Sequence, residues 1–465
     1  MYKNLFGTLV VFFALLCGCG TSQVSEKLYY AAPSNLPHVS KDMNTAGFWI
    51  SRLKEPDHVI MDADHIKSFN NLIRNQTNNI VTDFEKGIHK FTAKEISEKL
   101  LRDIDSYKNR KLYMSNGEQA GDNSFYNSIR EESNISAIID PVKPAFAYIA
   151  HYTPMRVFPS LSPLYQEAFD LEFDEVQTDA LDVATPVVIV HESKNHEWSY
   201  VQSPTSEGWV QKHDLLFMPY DKWKSALNTK NFIVTTQAKA EIFLNSDLTG
   251  YYDYVLMGVR LPFSKRLEGT SILEIWVPNL KFQADPSSTF WIKAYVKESS
   301  VNIGYLPYTQ RTILDQAFKF LNIPYGWGGL AGDLDCSRFL QAVYASVGIK
   351  IPRDSIYQGQ SGIALFKKGD LPGTAELEQL IVKKAEPASS FFHFVSYGHV
   401  ALYLGSVNDR PYIIHDIFGF NQKIGDRTYK RIIRKVAVTD LMLGEGTERK
   451  SLLDRVQSIR KLSVD

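Results

Sequence analysis

Between residues 145 and 305 the chain is cut into short apolar runs by clusters of turn-forming residues. That rhythm leaves little room for anything but small β-structures in the middle of the molecule. Pro186-Val187-Val188-Ile189-Val190 and Glu197-Trp198-Ser199-Tyr200-Val201 are too short for stable helices and suit strands. Ser193-Lys194-Asn195 and Ser203-Pro204-Thr205-Ser206 separate them with residues that favour reversal of the chain. The rhythm closes at Gly208-Trp209-Val210. Strands at this spacing predict a small barrel over residues 145–222. A second block, residues 229–305, repeats the grammar more loosely. It contains Ala240-Glu241-Ile242-Phe243, Val255-Leu256-Met257-Gly258-Val259, Leu273-Glu274-Ile275-Trp276-Val277 and Phe290-Trp291-Ile292, and its Gly304-Tyr305-Leu306 stands in for the closing Gly-Trp-Val. The tryptophans are expected in barrel cores rather than as sugar-stacking platforms.

The flanks differ in kind. Met1 to Gly20 reads as an export signal, with Lys3 ahead of an apolar stretch from Leu5 to Leu16. It ends in Leu16-Cys17-Gly18-Cys19, which resembles a bacterial lipobox. Cleavage over residues 1–18 would leave Cys19 to carry a lipid, with residues 19–42 as a tether. Nothing after the signal is long and apolar enough to span a membrane, so attachment is expected through that lipid. Gly20 lacks the acidic character of inner-membrane retention, which favours the periplasmic face of the outer membrane. Residues 43–144 read as a helical N-terminal region: Phe69, Leu72 and Ile73 fall at helical spacing, and Thr92-Ala93-Lys94-Glu95 resembles a capping box. Its charges are expected to form a solvated face without chemistry. A formal net charge of -1 gives no reason to expect nucleic acid as a partner. A monomer is expected.

Of three cysteines, only Cys336 would survive both cleavage and lipidation. A lone thiol in an exported chain has no disulfide partner. A core position is the ordinary reading of a free cysteine, but this one stands between Asp335 and Ser337. A helix is predicted from Thr309 to Leu321, broken by Ile323-Pro324-Tyr325-Gly326-Trp327-Gly328-Gly329. A second helix starts at Cys336, with Phe339, Val343 and Val347 recurring every fourth residue. The first turn of a helix favours anions, so the thiol pKa is expected to fall. Gly398-His399-Val400-Ala401-Leu402-Tyr403-Leu404 alternates as a strand, and Pro411-Tyr412-Ile413-Ile414-His415-Asp416 returns beside it. A hairpin turning near Val407-Asn408 would bring His415 close to His399. His399 could then take the thiol proton while His415 orients it; Asp416 could orient it too, but alternation points it to the opposite face. His191 and His196 are five apart, which does not suit a zinc motif, and no phosphate loop is present. No metal or other cofactor is expected.

Tyr325-Gly326-Trp327-Gly328-Gly329, Asp335-Cys336-Ser337, Ile351-Pro352-Arg353-Asp354-Ser355, Gly398-His399-Val400 and Ile414-His415 together resemble the NlpC/P60 cysteine peptidases. The two middle blocks resemble bacterial SH3 domains. The implied fold is a multi-domain α+β protein: a helical N-terminal region, two small SH3-like β-barrels and a C-terminal papain-like NlpC/P60 domain. That domain would span residues 306–446, with 447–465 as a tail. By the resemblance Cys336 is the nucleophile, His399 the general base and His415 its orienting residue. Asp335, Ser337, Asp354 and Ser355 would line the cleft near a substrate amine, and Tyr325 and Trp327 would wall it. The implied activity is hydrolysis of the γ-D-glutamyl–L-diamino acid bond of peptidoglycan stem peptides bearing a free N-terminal L-Ala, the diamino acid usually being meso-diaminopimelate. An inert wall-binding lipoprotein and a papain-like amidase or acyltransferase are the competing readings. Two departures stand out: Arg338 replaces the family's usual glycine, and residues 367–387 read as a polar surface insertion.

Overall fold

The computed structural model describes residues 30–464, apart from 34–35, 79, 122, 371–372 and 396–397. Cys19, residues 1–18 and most of the expected tether lie outside the described residues. Three seven-stranded sheets organise the rest. The strand rhythm of residues 145–222 folds into Ala145–Ile149, Thr153–Arg156, Gln177–Leu181, Pro186–Glu192, Trp198–Gln202, Glu207–Gln211 and Leu215–Phe217. Numbered along the chain, these strands lie in the order 3-2-6-5-4-1-7. The second block, from Phe232–Thr235 to Val301–Ile303, has the same order.

That shared topology corrects one correspondence. The strand holding Gly208-Trp209-Val210 is sixth in its barrel, and its counterpart is Trp291–Lys297. Gly304-Tyr305-Leu306 follows the seventh strand instead. The physical reason is that Trp209 is a core anchor, fully buried with Trp198 and Trp223. Tyr305 instead packs its ring edge-on against Phe232 near the surface.

The third sheet carries the C-terminal block. Its order is Tyr30–Ala31, Arg427–Asp440, Arg410–Ile424, His399–Val407, Ser390–Phe394, Val456–Lys461 and Ile363–Lys367. Two segments set aside from the sequence therefore belong to it. Tyr30–Ala31, in the expected tether, pairs parallel with the 427–440 strand. Val456–Lys461, in the expected tail, lies between two other strands with Val456 and Ile459 buried. An apolar strand inside a sheet satisfies its backbone on both sides, which is why this segment is structural rather than loose.

One face of the sheet, formed by Val400, Leu402, Ile414, Val436 and Val438, packs against Phe339, Leu340 and Val343 of helix Cys336–Ala345. The other face buries Ala401, Tyr403, Ile413 and Ala437. Leu377 and Ile381 of helix Thr374–Lys384 cover that second face. The polar stretch 367–387 thus holds a packed amphipathic helix and is not only surface chain.

Ile104, Tyr126 and Ile129 of the N-terminal helices share a small core with Phe158, Leu164 and Val176 of the first barrel's long connection. Thr92 caps helix Ala93–Lys108 by accepting from Glu95 N, although the Glu95 carboxylate turns to His89 instead of completing the box. Ile96 and Leu100 of that helix enter the core of the first barrel. Phe69 and Ile73 of helix Ala63–Gln76 enter the core behind Cys336. The region clamps the first barrel to the C-terminal block.

Candidate active site

Helix Cys336–Ala345 starts where the glycine-rich break ends, and Asp335 caps it by accepting from Arg338 N at 3.0 Å. Capping fixes the first turn and aims the Cys336 side chain into a cleft of about 1250 Å³. Walls come from the first barrel, the N-terminal region and the C-terminal block. Lys86, His89, Glu95 and Lys99 are among the lining residues, so the N-terminal region contributes more than the inert solvated face expected of it.

Strands His399–Val407 and Arg410–Ile424 form the expected hairpin, turning at Asn408-Asp409 with both residues at positive φ. The register carries His399 Nε2 to 2.7 Å from His415 Nδ1. His415 Nε2 in turn lies 3.1 Å from the Thr439 hydroxyl. Thr439, on the adjacent strand Arg427–Asp440, was not singled out from sequence, because only the strand pairing reveals what its hydroxyl meets. The chain of contacts accommodates a tautomer that leaves a base free. If His415 donates from Nε2 to Thr439, its Nδ1 accepts from His399 Nε2–H, leaving the His399 Nδ1 lone pair free. Among the described residues that Nδ1 forms no hydrogen bond.

Cys336 Sγ lies 3.9 Å from the carbonyl oxygen of Gly398, the residue before His399, and forms no hydrogen bond to the His399 ring. Gly398 has φ +60°, and a Cβ there would collide with Ser355 Oγ. Only glycine lets the chain enter this strand so close to helix Ser355–Gln358. Asp416 takes the opposite face, as alternation requires. It is fully buried, with no hydrogen-bond partner for either carboxylate oxygen among the described residues, and burial pushes its pKa far up.

The electrostatics overturn one expectation. Burial and then Asp335 raise the Cys336 pKa instead of lowering it; desolvation of a thiolate exceeds what one helix terminus returns. Burial, Arg455 and His393 pull His399 down to about 3, and burial, His399 and Arg455 hold His415 well below its ordinary value. The resting pair is a neutral thiol and a neutral imidazole.

Asp335 departs from its expected role as a bare charge for an ammonium. Arg353 clamps it with donors at 3.0 and 2.6 Å, and Ser337 Oγ and Gly328 N donate to it at 3.0 and 3.1 Å. Burial opposes its charge, yet Arg353 and these donors hold its pKa below the ordinary value. Its charge is therefore already compensated. Arg353 also donates to Asp179 of the first barrel at 2.7 Å, and Ser206 secures the other Asp179 oxygen at 2.6 Å. Arg338, the departure from glycine, reaches across to buried Asp182 of the same barrel. Asp354 is exposed and caps the short helix Ser355–Gln358. Ser337, Asp354, Ser355, Tyr325 and Trp327 all line the cleft. Trp327 Nε1 donates to the Asp174 carbonyl at 2.9 Å, and Phe173 packs edge-on against Trp327 and Phe418. Arg353 stood within a quoted motif, but its partner Asp179 is 174 residues away; no local pattern links them.

Residues 322–432 match the NlpC/P60 family, and residues 160–211 match the SH3 domain of SH3b1 type. The chain is 27% identical over 214 residues to a gamma-D-glutamyl-L-lysine dipeptidyl-peptidase of Bacillus cereus, covering 43% of this chain and 54% of that protein. A protein of the same name from Bacillus subtilis is 33% identical over 90 residues, 18% of this chain and 30% of that protein. The chain thus spans about half, or less, of the curated relatives it matches. A solved NlpC/P60 endopeptidase from Photobacterium damselae subsp. piscicida superposes over 94% of this chain and 99% of that chain, with a TM-score of 0.72 at 18% identity. The whole arrangement of domains therefore has a counterpart of the same fold.

Proposed function

We propose that this chain, whose C-terminal domain belongs to the NlpC/P60 family, is a cysteine endopeptidase acting on the γ-D-glutamyl–L-diamino acid bond of peptidoglycan stem peptides. One observation carries the reading: a capped-helix cysteine shares a cleft with a His399–His415–Thr439 relay whose outer nitrogen is free. The Cys336 proton passes to His399 Nδ1 and the sulfur attacks the γ-carbonyl carbon. N–H groups of the first helical turn face the developing oxyanion. Collapse breaks the C–N bond, and the departing amine takes its proton from His399. Water, deprotonated by His399, then opens the thioester and frees the thiol. In the resting protein the thiol donates to Gly398 instead; catalytic hydrogen bonds of this kind often tighten only when substrate excludes water.

The first barrel walls one end of the cleft through residues 173–179 and 205–207. This favours short peptides with a free N-terminal L-Ala over stems still joined to glycan. Asp354, exposed in the cleft, is the second of the two acids expected near that ammonium. Incubation of the folded protein with L-Ala-γ-D-Glu-meso-diaminopimelate should release L-Ala-γ-D-Glu by mass spectrometry, and Cys336→Ala should abolish release. Product formation at the wild-type rate in that variant would refute the assignment. Equal cleavage of purified sacculi and free tripeptide would refute the size preference. Lipid anchoring at Cys19, on the periplasmic face of the outer membrane, is part of the same reading and rests on Leu16-Cys17-Gly18-Cys19 and, for the choice of membrane, on Gly20. Cys19→Ser should move the protein to the soluble periplasmic fraction; retention in membranes would count against the anchor.

A further inference from the structure

The wall of the cleft beside His399 has a different chemistry from the wall beside Arg353. It is built by residues 441–455, which link the Arg427–Asp440 and Val456–Lys461 strands and are pinned by buried Leu441, Leu443, Leu452 and Leu453. From this segment Arg449, Lys450 and Arg455 line the cleft. Arg455 is half-buried and its backbone is fixed by Val395 N, which donates to its carbonyl at 2.8 Å. Its Nε donates to the Ser451 carbonyl at 3.3 Å. Among the described residues Arg455 forms no ion pair, and the adjacent Asp454 carboxylate is engaged by Ser451 N and Oγ. Its charge nevertheless reaches His399 and His415, and it is near enough to Arg449 for the two cations to repel. A partly desolvated guanidinium held beside another cation, with only Asp454 acting on it through space and no ion pair among the described residues, has donors left for an anion.

The chemistry of acyl transfer says what occupies this end. His399 must protonate the departing nitrogen, so the leaving residue has to lie against His399, on the Arg455 side. We infer that Arg455, with Arg449 beside it, forms a subsite that binds a carboxylate of the leaving diamino acid. This rests on the endopeptidase reading above. A leaving diamino acid offers an α-carboxylate when it is the C-terminal residue, and diaminopimelate adds a second carboxylate at the far end of its side chain. Lysine lacks that second group. A planar guanidinium takes either one in bidentate fashion.

Steady-state kinetics on four peptides test it: L-Ala-γ-D-Glu-meso-diaminopimelate, its α-amide, its diamide, and the L-lysine tripeptide. Wild-type protein should show a KM at least tenfold lower for the free diacid than for the diamide, with similar kcat. Arg455→Met should raise KM for the diacid to the diamide value without raising KM for the diamide, and any change in kcat from the altered field at His399 should be shared by both peptides. Arg455→Lys should restore part of the difference, which a merely structural role would not produce. If the α-amide behaves as the diamide and the lysine peptide as the diacid, the α-carboxylate is the one bound. The reverse pattern assigns the side-chain carboxylate. Equal KM for diacid and diamide in wild-type protein, or an equal rise in KM for both in Arg455→Met, would overturn the subsite while leaving the peptidase reading intact. Folded protein that cleaves none of the four would overturn both.

Discussion

The two barrels have the same strand order and opposite relations to the cleft. The first joins its second and third strands through residues 157–176, long enough to carry Phe173 and Asp174 onto Trp327. The second makes the same connection through residues 244–250 and contributes no lining residue to the cleft. The first barrel is tied to the cysteine helix by buried charge: Asp179 to Arg353, and Asp182 to Arg338. The second meets the far end of that helix by shape, with Gly258 set directly against Ala345. One fold can thus serve as a wall of the site or as a buttress behind it. Loop length and a few buried ions decide which.

Cutting the charged link should have the largest effect. Arg353→Met leaves Asp335 and Asp179 buried and unpaired, which should cost about 3–5 kcal/mol of stability. It should also lower kcat/KM of the folded fraction, because Asp335 caps the cysteine helix. Denaturant titration and kinetics on the same samples check both. An active, fully stable variant would mean the first barrel does not govern the site. Gly258→Val probes the buttress. The residue has φ +85°, and a Cβ there would lie 2.5 Å from the Ala345 Cβ, so the variant should lose about 1–3 kcal/mol from overpacking and backbone strain. Its kcat/KM per folded molecule should match wild type. A parallel fall in activity would erase the distinction between the barrels.

A smaller effect is expected inside the relay. Thr439→Val removes the acceptor of His415 and leaves a buried N–H unsatisfied, at a cost of about 1–2 kcal/mol. Activity should fall through kcat, with KM little changed. The last prediction is an absence of change. His399 is depressed to about 3 from an ordinary 6.5, so its imidazole stays neutral and basic throughout mild acid. The acid limb of kcat/KM should therefore lie well below pH 6.5, where an unperturbed histidine would place it. The same depression means that stability present above pH 6.5 is lost as pH falls toward 3, because the partly buried ring must then take up charge. A limb near 6.5 would show that the ring is hydrated.

Much of the site was legible in local pattern. The glycine-rich break, the helix opening at Cys336 and the alternating strand at His399 are short-range features, and the hairpin between His399 and His415 follows from a two-residue turn. The strand at 456–461 was missed because a six-residue apolar run looks the same at a loose end as inside a sheet. The thiol's raised pKa was missed because the pull of a helix terminus can be read locally, whereas desolvation depends on everything that covers the group.

Local pattern therefore set the order of elements, the pairing of the two histidines and the placing of one cysteine at a helix start. Periodicity and turn chemistry act over a few residues and leave their marks there. Folding alone sets Arg353 against Asp179, Thr439 behind His415, and Arg455 in the cleft of His399 without an ion pair among the described residues. Each of those depends on elements far apart in the chain. A buried charge or a free lone pair acquires its meaning from the groups that surround it after folding.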